Sequence, residues 1–596
     1  MRNLIVLNHP NFRIMKGILS IRFVLFFAFL FVFQSCTKEA EVKTYDRNGN
    51  NVVVRIPADI RTLNPTFAFD AYSLLILRTI NQYLATYDLE TQKIVPVLLK
   101  DLATISEEDG IVSYSMEIRP EAKWDDGSEI TANDVLNSYK MLFNPMSKPS
   151  PYKPYLDFIE DFEIDQDNSK KFTIRSSKKF ILAEEAIYMI MPVHQTSVYD
   201  ADGVLEKFAL SDLMKGDIAE DDKASLTALS EAYFSEKFTS DPAFVNGSGA
   251  YKLTEWKPGE LITMVKKNDW WGNAFEGENS WFKAYPDTFS LKPVTDVTTA
   301  IQMFSNKEFD VAISLDSKDF VSLSSNESLN QEYNFVTDAS NTAFLVYQNM
   351  KSPILSDKKV RQAVARLYDY DAIIESVFDG LGDRINGPVG DFKPYYDKES
   401  EMIAFDTEEA LAILADAGWS DTDSDGVLDK EIDGTKTDLK LTYVVGSTSA
   451  SENIALFFQQ AAEEIGMEIE IIKKDRKGWL ELMQQRDFDL TMNGTGFSPG
   501  LDDFRQMFST DANTPGGQNR MQFGNAETDA LLNAIIENFD EDSRSEQYVE
   551  FQKILADEMP IVWLMAPKSR VVIHDRFDGG SSGLLPNVCL GCMKLK

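Results

Sequence analysis

The sequence predicts an α/β protein of two or more lobes, and three observations carry that expectation. The chain has 596 residues, whereas a single core stops growing at roughly 250–300. Hydrophobic residues make up 43% and charged residues 26%, which excludes a collagen, a long disordered polymer and a polytopic membrane protein. In the second half, β-rich runs alternate with stretches of helical periodicity, the pattern of a βαβ layer.

The elements follow in order. Arg13, Lys16 and Arg22 precede an unbroken apolar run, Phe23 to Phe33. That run is too short to span a bilayer, which needs roughly 20 residues, and it has the form of a secretory leader. Met15 followed by Lys16 would make a tighter start than Met1. Gln34-Ser35-Cys36 follows at once and resembles a bacterial lipoprotein cleavage site, although Phe33 and Gln34 depart from the usual residues. The expectation is a signal peptide at 1–35, a lipid on Cys36 and a polar tether at 36–44, so that the protein is anchored to a membrane rather than spanning it. A plain secretory leader with an incidental Cys is the other reading.

Val52-Val53-Val54-Arg55-Ile56 reads as a strand and Asp70 to Leu84 as a helix with Asp70 at its N-cap. Ser113 to Ile118 alternates like a strand. Thr131-Ala132-Asn133-Asp134 opens a helix with the spacing of a capping box. Asn144 to Pro154 is a Pro- and Ser-rich loop, and Asp200 to Ser240 is acidic and helical. Tyr251 to Lys267 is a hairpin turning at Lys257-Pro258-Gly259. Further on, helices are expected at Thr298–Phe304, Asp357–Leu367, Asp371–Phe378, Asp406–Gly418 and Ser451–Ile465. Strands are expected at Asp310–Ile313, Leu439–Val445 and Met467–Ile472.

The formal net charge is −36. No basic stripe interrupts it, which excludes nucleic acid as a partner. Three His and three Cys leave little from which to build a His-rich metal centre, and His194 and His574 read as structural residues. Gly579-Gly580-Ser581-Ser582-Gly583 fits a nucleophile-elbow pattern. No His follows it and Pro586 interrupts any helix, so it reads as a loop. Cys589 and Cys592 lie too close to the C-terminus for a redox helix, and read as a structural disulfide or two quiet thiols. One metal pattern is specific: Asp421, Asp423, Asp425 and Asp429 place acidic oxygens at positions 1, 3, 5 and 9 of a loop. Gly426 stands at position 6, and Val427 is set to offer its carbonyl. Calcium wants six to eight such oxygens, and Asp433 is the candidate for the ligand that Ile432 does not supply. An acidic surface turn is the equal alternative. No cofactor is required, and a calcium ion here would be structural.

Several segments, in order, resemble the extracellular solute-binding proteins of peptide-type ABC importers, the family of dipeptide, oligopeptide and nickel binders. They are Leu63-Asn64-Pro65, Thr86-Tyr87-Asp88 and Ile94-Val95-Pro96; then Ile118-Arg119-Pro120, Lys123-Trp124-Asp125-Asp126-Gly127 and Thr131-Ala132-Asn133-Asp134-Val135. Gly247-Ser248-Gly249-Ala250-Tyr251, Glu255-Trp256-Lys257-Pro258-Gly259, Asp269-Trp270-Trp271-Gly272, Val360-Arg361-Gln362-Ala363 and Ala417-Gly418-Trp419 complete the set. The resemblance implies a two-lobed periplasmic-binding-protein fold with a hinge, lobe one at 45–293 plus 567–596 and lobe two at 294–566. It implies a subdomain inserted in lobe one at about 71–184, a first crossing at Phe289–Val294 and a return near Ile561–Pro567. It further implies a lipid-anchored protein that captures a peptide by lobe closure and delivers it to an ABC transporter permease, with Asn64, Phe67, Ser447, Thr448, Thr495, Phe497 and Asp502 at the ligand. A non-peptide solute, such as a sugar or a metal complex, and an exported hydrolase are the alternatives.

The chain departs from the family where dipeptide binders place a Trp and then an Asp for the ligand's ammonium. Gly494 stands in the Trp place and Phe497 in the Asp place. The loop Gly446 to Ser451, which often gives an Arg for the carboxylate, has none. A free α-amino group is therefore not expected to be rewarded at position 497, with Asp502 as the acid that the turn at Pro499-Gly500 could bring in.

Overall fold

The structure is a computed structural model that describes residues 49–596 apart from residues 69, 151, 246 and 585. The leader and Cys36 lie outside the described residues. Residues 50–596 make one compact unit, and none of its helices is long and apolar enough to cross a membrane.

The first sheet has seven strands in the order Tyr333–Val336, Val571–His574, Val311–Ala312, Asn51–Ile56, Thr288–Pro293, Leu261–Lys266 and Tyr251–Lys257. Asn51–Ile56 lies at its centre and pairs parallel with both neighbours. That position needs a strand apolar on both faces, which Val52-Val53-Val54 supplies; all three are buried. Arg55, also buried, donates through Nε to the Val294 carbonyl and through Nη1 to that of Ile313, each at 3.2 Å. The helix Ala71–Ile80 packs its Leu75, Ile76 and Ile80 on this core, and Asp70 caps it by accepting from the Ser73 amide at 2.9 Å.

A second core, running from Leu84 to Phe238, belongs to the inserted subdomain. Its sheet is Thr104–Glu108, Ile111–Glu117, Lys171–Ser176 and Asp161–Ile164, covered by the helix Ala132–Phe143. The Asp134 carboxylate accepts from the Thr131 amide at 2.9 Å. The expected subdomain boundaries of 71 and 184 are thus corrected at both ends. The first helix is held by the lobe-one core, and the acidic helices such as Glu220–Tyr233 contribute Leu226, Leu229 and Tyr233 to the subdomain core. His194 is encased there against Tyr199 and Tyr233, and burial pushes its pKa down to about 4.

Lobe two is built on six strands in the order Gly382–Arg384, Ile561–Pro567, Thr342–Gln348, Leu490–Gly496, Lys440–Val445 and Glu468–Lys473. Side chains alternate between its two faces. Val346, Leu441, Tyr443, Leu490 and Val562 meet the helices Lys358–Ala365, Thr407–Asp416 and Ser449–Glu464. Leu345, Tyr347, Val444 and Trp563 meet the helices Ala526–Glu537 and Glu541–Glu558. Arg361, 1% exposed, ties the lobe's first helix to its last: Nη2 bonds the Glu558 carboxylate and Nε the Glu558 carbonyl, each at 2.8 Å.

The chain crosses between lobes at 337–341 and returns at 568–570. The two passes run antiparallel, with Ala339 bridged to Lys568 and the Ser569 amide donating to the Asp338 carbonyl at 2.8 Å. The expected first crossing at Phe289–Val294 is therefore corrected, because Val311–Ala312 and Tyr333–Val336 still belong to the first sheet. The strand Ile561–Pro567, expected as the return, is a full member of the second sheet, and the crossing follows it. At the C-terminus, Cys589 and Cys592 are joined as a disulfide beside Leu89 and Trp281. The Gly579–Gly583 segment is irregular, with Ser581 bridged to Val588, and Ser582 Oγ donates to the Leu89 carbonyl at 2.9 Å.

Candidate functional site: the cleft between the lobes

The strand Leu490–Gly496 ends in the segment 497–504, which runs out across the mouth of lobe two and meets the subdomain helix Ala183–Met189. Between them lies a cavity of about 620 Å³, within the range of small-ligand sites. Leu182, Glu185 and Met189 form the subdomain wall; Tyr347, Asn493, Thr495, Phe497 and Trp563 form much of the other.

The walls touch. The Leu501 amide donates to Glu185 Oε1 at 3.3 Å, the Ile181 amide donates to the Ile536 carbonyl at 3.0 Å, and the Arg505 guanidinium stands 5.6 Å above the Phe180 ring. At Gly500 the backbone comes so close that a Cβ would sit 1.9 Å from Tyr87 Oη and 2.2 Å from Glu185 Oε1. The walls meet here, and a larger residue at this point would have to push the ends of those two side chains aside.

Charge in the cleft is mostly acidic. Asp502 lines the cavity and is 7% exposed; it accepts from Tyr395 Oη at 2.9 Å and faces Lys393 Nζ at 3.6 Å. Burial pushes its carboxyl up, partly offset by Lys393, and pushes the Lys393 ammonium down. Glu185 is also raised by burial, against the hydrogen bond from Tyr87. Asp503 is held by Arg505 at 2.7 Å. The charge of the wall is thus not set by position 497 alone. Nothing in the sequence separates Glu185 from its neighbour Glu184, and Lys393 and Tyr395 lie outside every motif.

Thr495, Phe497 and Asp502 line the cavity, with Phe497 packed into the lobe-two core. The other expected residues lie elsewhere. Asn64 is buried and occupied: its Nδ2 donates to the Tyr233 carbonyl at 2.9 Å and its Oδ1 accepts from the Thr66 amide at 3.1 Å. Phe67 packs edge-on against Phe234. Ser447 and Thr448 are exposed, and Thr448 caps the helix Ser449–Glu464. None of these four is among the residues lining the cavity.

In the acidic loop, carboxylate oxygens of Asp421, Asp423 and Asp429 come within 4.8 Å of one another. Asp421 also accepts from the Ser424 and Gly426 amides at 2.7 and 3.0 Å, and Gly426 has the positive φ of 92° that this fold of the loop needs. Asp425, expected with them, turns instead to the Val427 amide at 2.9 Å. Lys436 bonds Asp423 and stands 3.4 Å from Asp429, so a cation from the chain itself already sits at the cluster.

Replacing Gly500 with Ala is expected to hold the lobes apart and weaken ligand binding about tenfold or more, with the melting temperature of ligand-free protein nearly unchanged. Calorimetry on the two proteins checks it; equal affinities would mean that closure does not need this contact.

The sequence pattern of the bacterial extracellular solute-binding proteins, family 5 Middle, matches residues 93–516. The oligopeptide-binding protein AppA of Bacillus subtilis is 26% identical over 540 residues, 89% of each chain. The probable D,D-dipeptide-binding periplasmic protein DdpA of Escherichia coli is 22% identical over 537 residues, 89% of this chain and 90% of that one. Among solved structures, AppA from Bacillus subtilis in complex with a nonapeptide superposes with a TM-score of 0.68 at 22% identity, covering 92% of this chain and 99% of that one. NikA from Brucella suis in complex with Fe(III)-EDTA reaches 0.72 at 18% identity, covering 92% and 100%.

Proposed function

Because the chain belongs to the bacterial extracellular solute-binding proteins of family 5, we propose that it captures a peptide by lobe closure and delivers it to the permease of an ABC importer. The observation that carries the peptide reading is an open strand edge. The strand Leu490–Gly496 is paired along its whole length with Thr342–Gln348, but its other neighbour, Lys440–Val445, pairs only with Leu490 and Thr491. Asn493, Gly494, Thr495 and Gly496 lie beyond that pairing and line the cavity. A bare strand edge offers alternate N–H and C=O groups to an extended chain, which a peptide can match residue by residue. Gly494 and Gly496 carry no side chain to stand in its way. The likeness to oligopeptide- and dipeptide-binding relatives supports the same reading.

Purified protein mixed with a peptide digest and then desalted is expected to retain intact peptides, read by mass spectrometry. Retention of a sugar or a metal complex instead, or release of cleaved products, would overturn the proposal.

Two further parts of the proposal rest on the sequence. Cys36 carries the lipid that keeps the protein at its membrane, so Cys36→Ala should move it to the soluble fraction; if it stays with membranes as firmly as before, the anchor is elsewhere. The Asp421 loop takes a calcium ion that stabilises lobe two by mass action. Adding calcium to chelator-treated protein should raise the melting temperature, and should do so less in Asp421→Asn. No rise in the wild-type protein would contradict it.

A further inference from the structure

Two carboxylates meet across the cleft with one cation to serve them. Glu185 comes from the subdomain helix Ala183–Met189 and Asp502 from the lobe-two segment that follows Leu490–Gly496; both line the cavity. Glu185 Oε1 accepts from the amide of Leu501, the residue next to Asp502, at 3.3 Å. Asp502 Oδ2 accepts from Tyr395 Oη at 2.9 Å and stands 3.6 Å from Lys393 Nζ. Lys393 is 5% exposed, and both carboxylates draw on its ammonium. With both acids ionised, the cluster carries one negative charge more than Lys393 can balance.

The other groups around the pair do not supply that charge. The Tyr87 hydroxyl, from the strand Ala85–Tyr87, meets Glu185 Oε1 at Gly500. Tyr548 Oη donates to the Asp502 carbonyl at 2.5 Å. Burial pushes Tyr87, Tyr395 and Tyr548 up, so all three stay neutral. On its own helix, Glu184 accepts from Tyr188 Oη at 2.7 Å, and Asp503 is balanced by Arg505.

The excess exists only while the walls meet. Asp502, Lys393, Tyr395 and Tyr548 all belong to lobe two, whereas Glu185 and Tyr87 belong to the subdomain side. When the walls part, Glu185 returns to water and leaves Asp502 and Lys393 as a balanced pair. When they meet, an unbalanced carboxylate is buried, a cost that protonation relieves. Burial and the nearby Asp502 both push Glu185 up, against Tyr87, the Leu501 amide and Lys393.

We propose that closing the cleft takes up a proton onto the Glu185–Asp502 pair, so that the protein holds its ligand more tightly in mildly acidic than in alkaline surroundings. The proposal rests on the reading of ligand capture by lobe closure. The sign follows from Glu185 being ordinary when the lobes are apart and raised when they meet: its protonated form favours the closed state. Affinity is then flat above the raised value, grows as pH falls through it, and levels off below the ordinary carboxylate value of about 4.3. One proton limits the growth to about tenfold per pH unit. The two acids titrate as one unit, and removing either restores the balance with Lys393.

Calorimetry with an apolar pentapeptide, N-acetylated and C-amidated so that it has no titratable group, tests this between pH 5.5 and 8. Repeating it in two buffers of different ionisation enthalpy counts the protons. Wild-type protein should bind about tenfold or more tightly at pH 5.5 than at pH 8, with net proton uptake between. In Glu185→Gln, which keeps an acceptor for the Leu501 amide, and in Asp502→Asn, uptake and pH dependence should both disappear. At pH 8, Glu185→Gln should bind more tightly than wild type. Wild-type affinity that is flat in pH without proton uptake, or uptake that persists in both variants, overturns the inference and leaves peptide capture intact. If the peptide does not bind at any pH, that counts against peptide capture, and ligand-free protein decides on the proton. Small-angle X-ray scattering should then give wild type a smaller radius of gyration at pH 5.5 than at pH 8, and Glu185→Gln the same radius at both. No change in wild type, or the same change in the variant, overturns the inference.

Discussion

The cleft depends on a line of contacts between lobe two and the subdomain, among them the bare backbone of Gly500 lying against Tyr87 Oη and Glu185 Oε1. Each of the three residues comes from a different part of the chain, Gly500 from lobe two and the other two from the subdomain side. Around that point the Leu501 amide reaches Glu185, and Leu501 itself packs against the cores of both the subdomain and lobe two. Ile536 of the lobe-two helix Ala526–Glu537 is also buried in the subdomain core, so opening has to withdraw that side chain from it.

The hinge is built on the same economy. Among the described residues, only 337–341 and 568–570 pass between the two sheets, and they pass side by side. Movement at two adjacent short segments changes few φ/ψ angles and leaves the packed cores rigid, the usual form of hinge closure. Each lobe keeps its own apolar core, with lobe two covering its sheet on both faces. The ligand cleft is then the place where polar and charged groups face one another across a boundary that the two cores do not fill.

Much of the fold was legible in the sequence because its signals are local. The Asp70 cap, the hairpin at Lys257-Pro258-Gly259 and the alternating strands and helices of lobe two all form where their side chains predict. The lobe boundary was not legible. Val311–Ala312 is a two-residue strand, and its place beside Asn51–Ile56 is decided by packing more than 250 residues away in sequence rather than by its own pattern. The site was legible only in part. The loop Thr495 to Asp502 could be found by its resemblance to the family. Glu185 and Lys393 sit in segments without a motif, and their importance comes from burial and from the groups opposite them, which no local pattern encodes. Asn64 does not line the cavity, since a motif residue can be placed to close a turn as readily as to touch a ligand.

The central claim is that binding and closure are one event. Small-angle X-ray scattering on protein stripped of ligand, before and after addition of a peptide that it retains, measures this directly. The account predicts that the radius of gyration falls on addition and that the fall saturates with peptide occupancy. A radius that stays constant while peptide binds would contradict it.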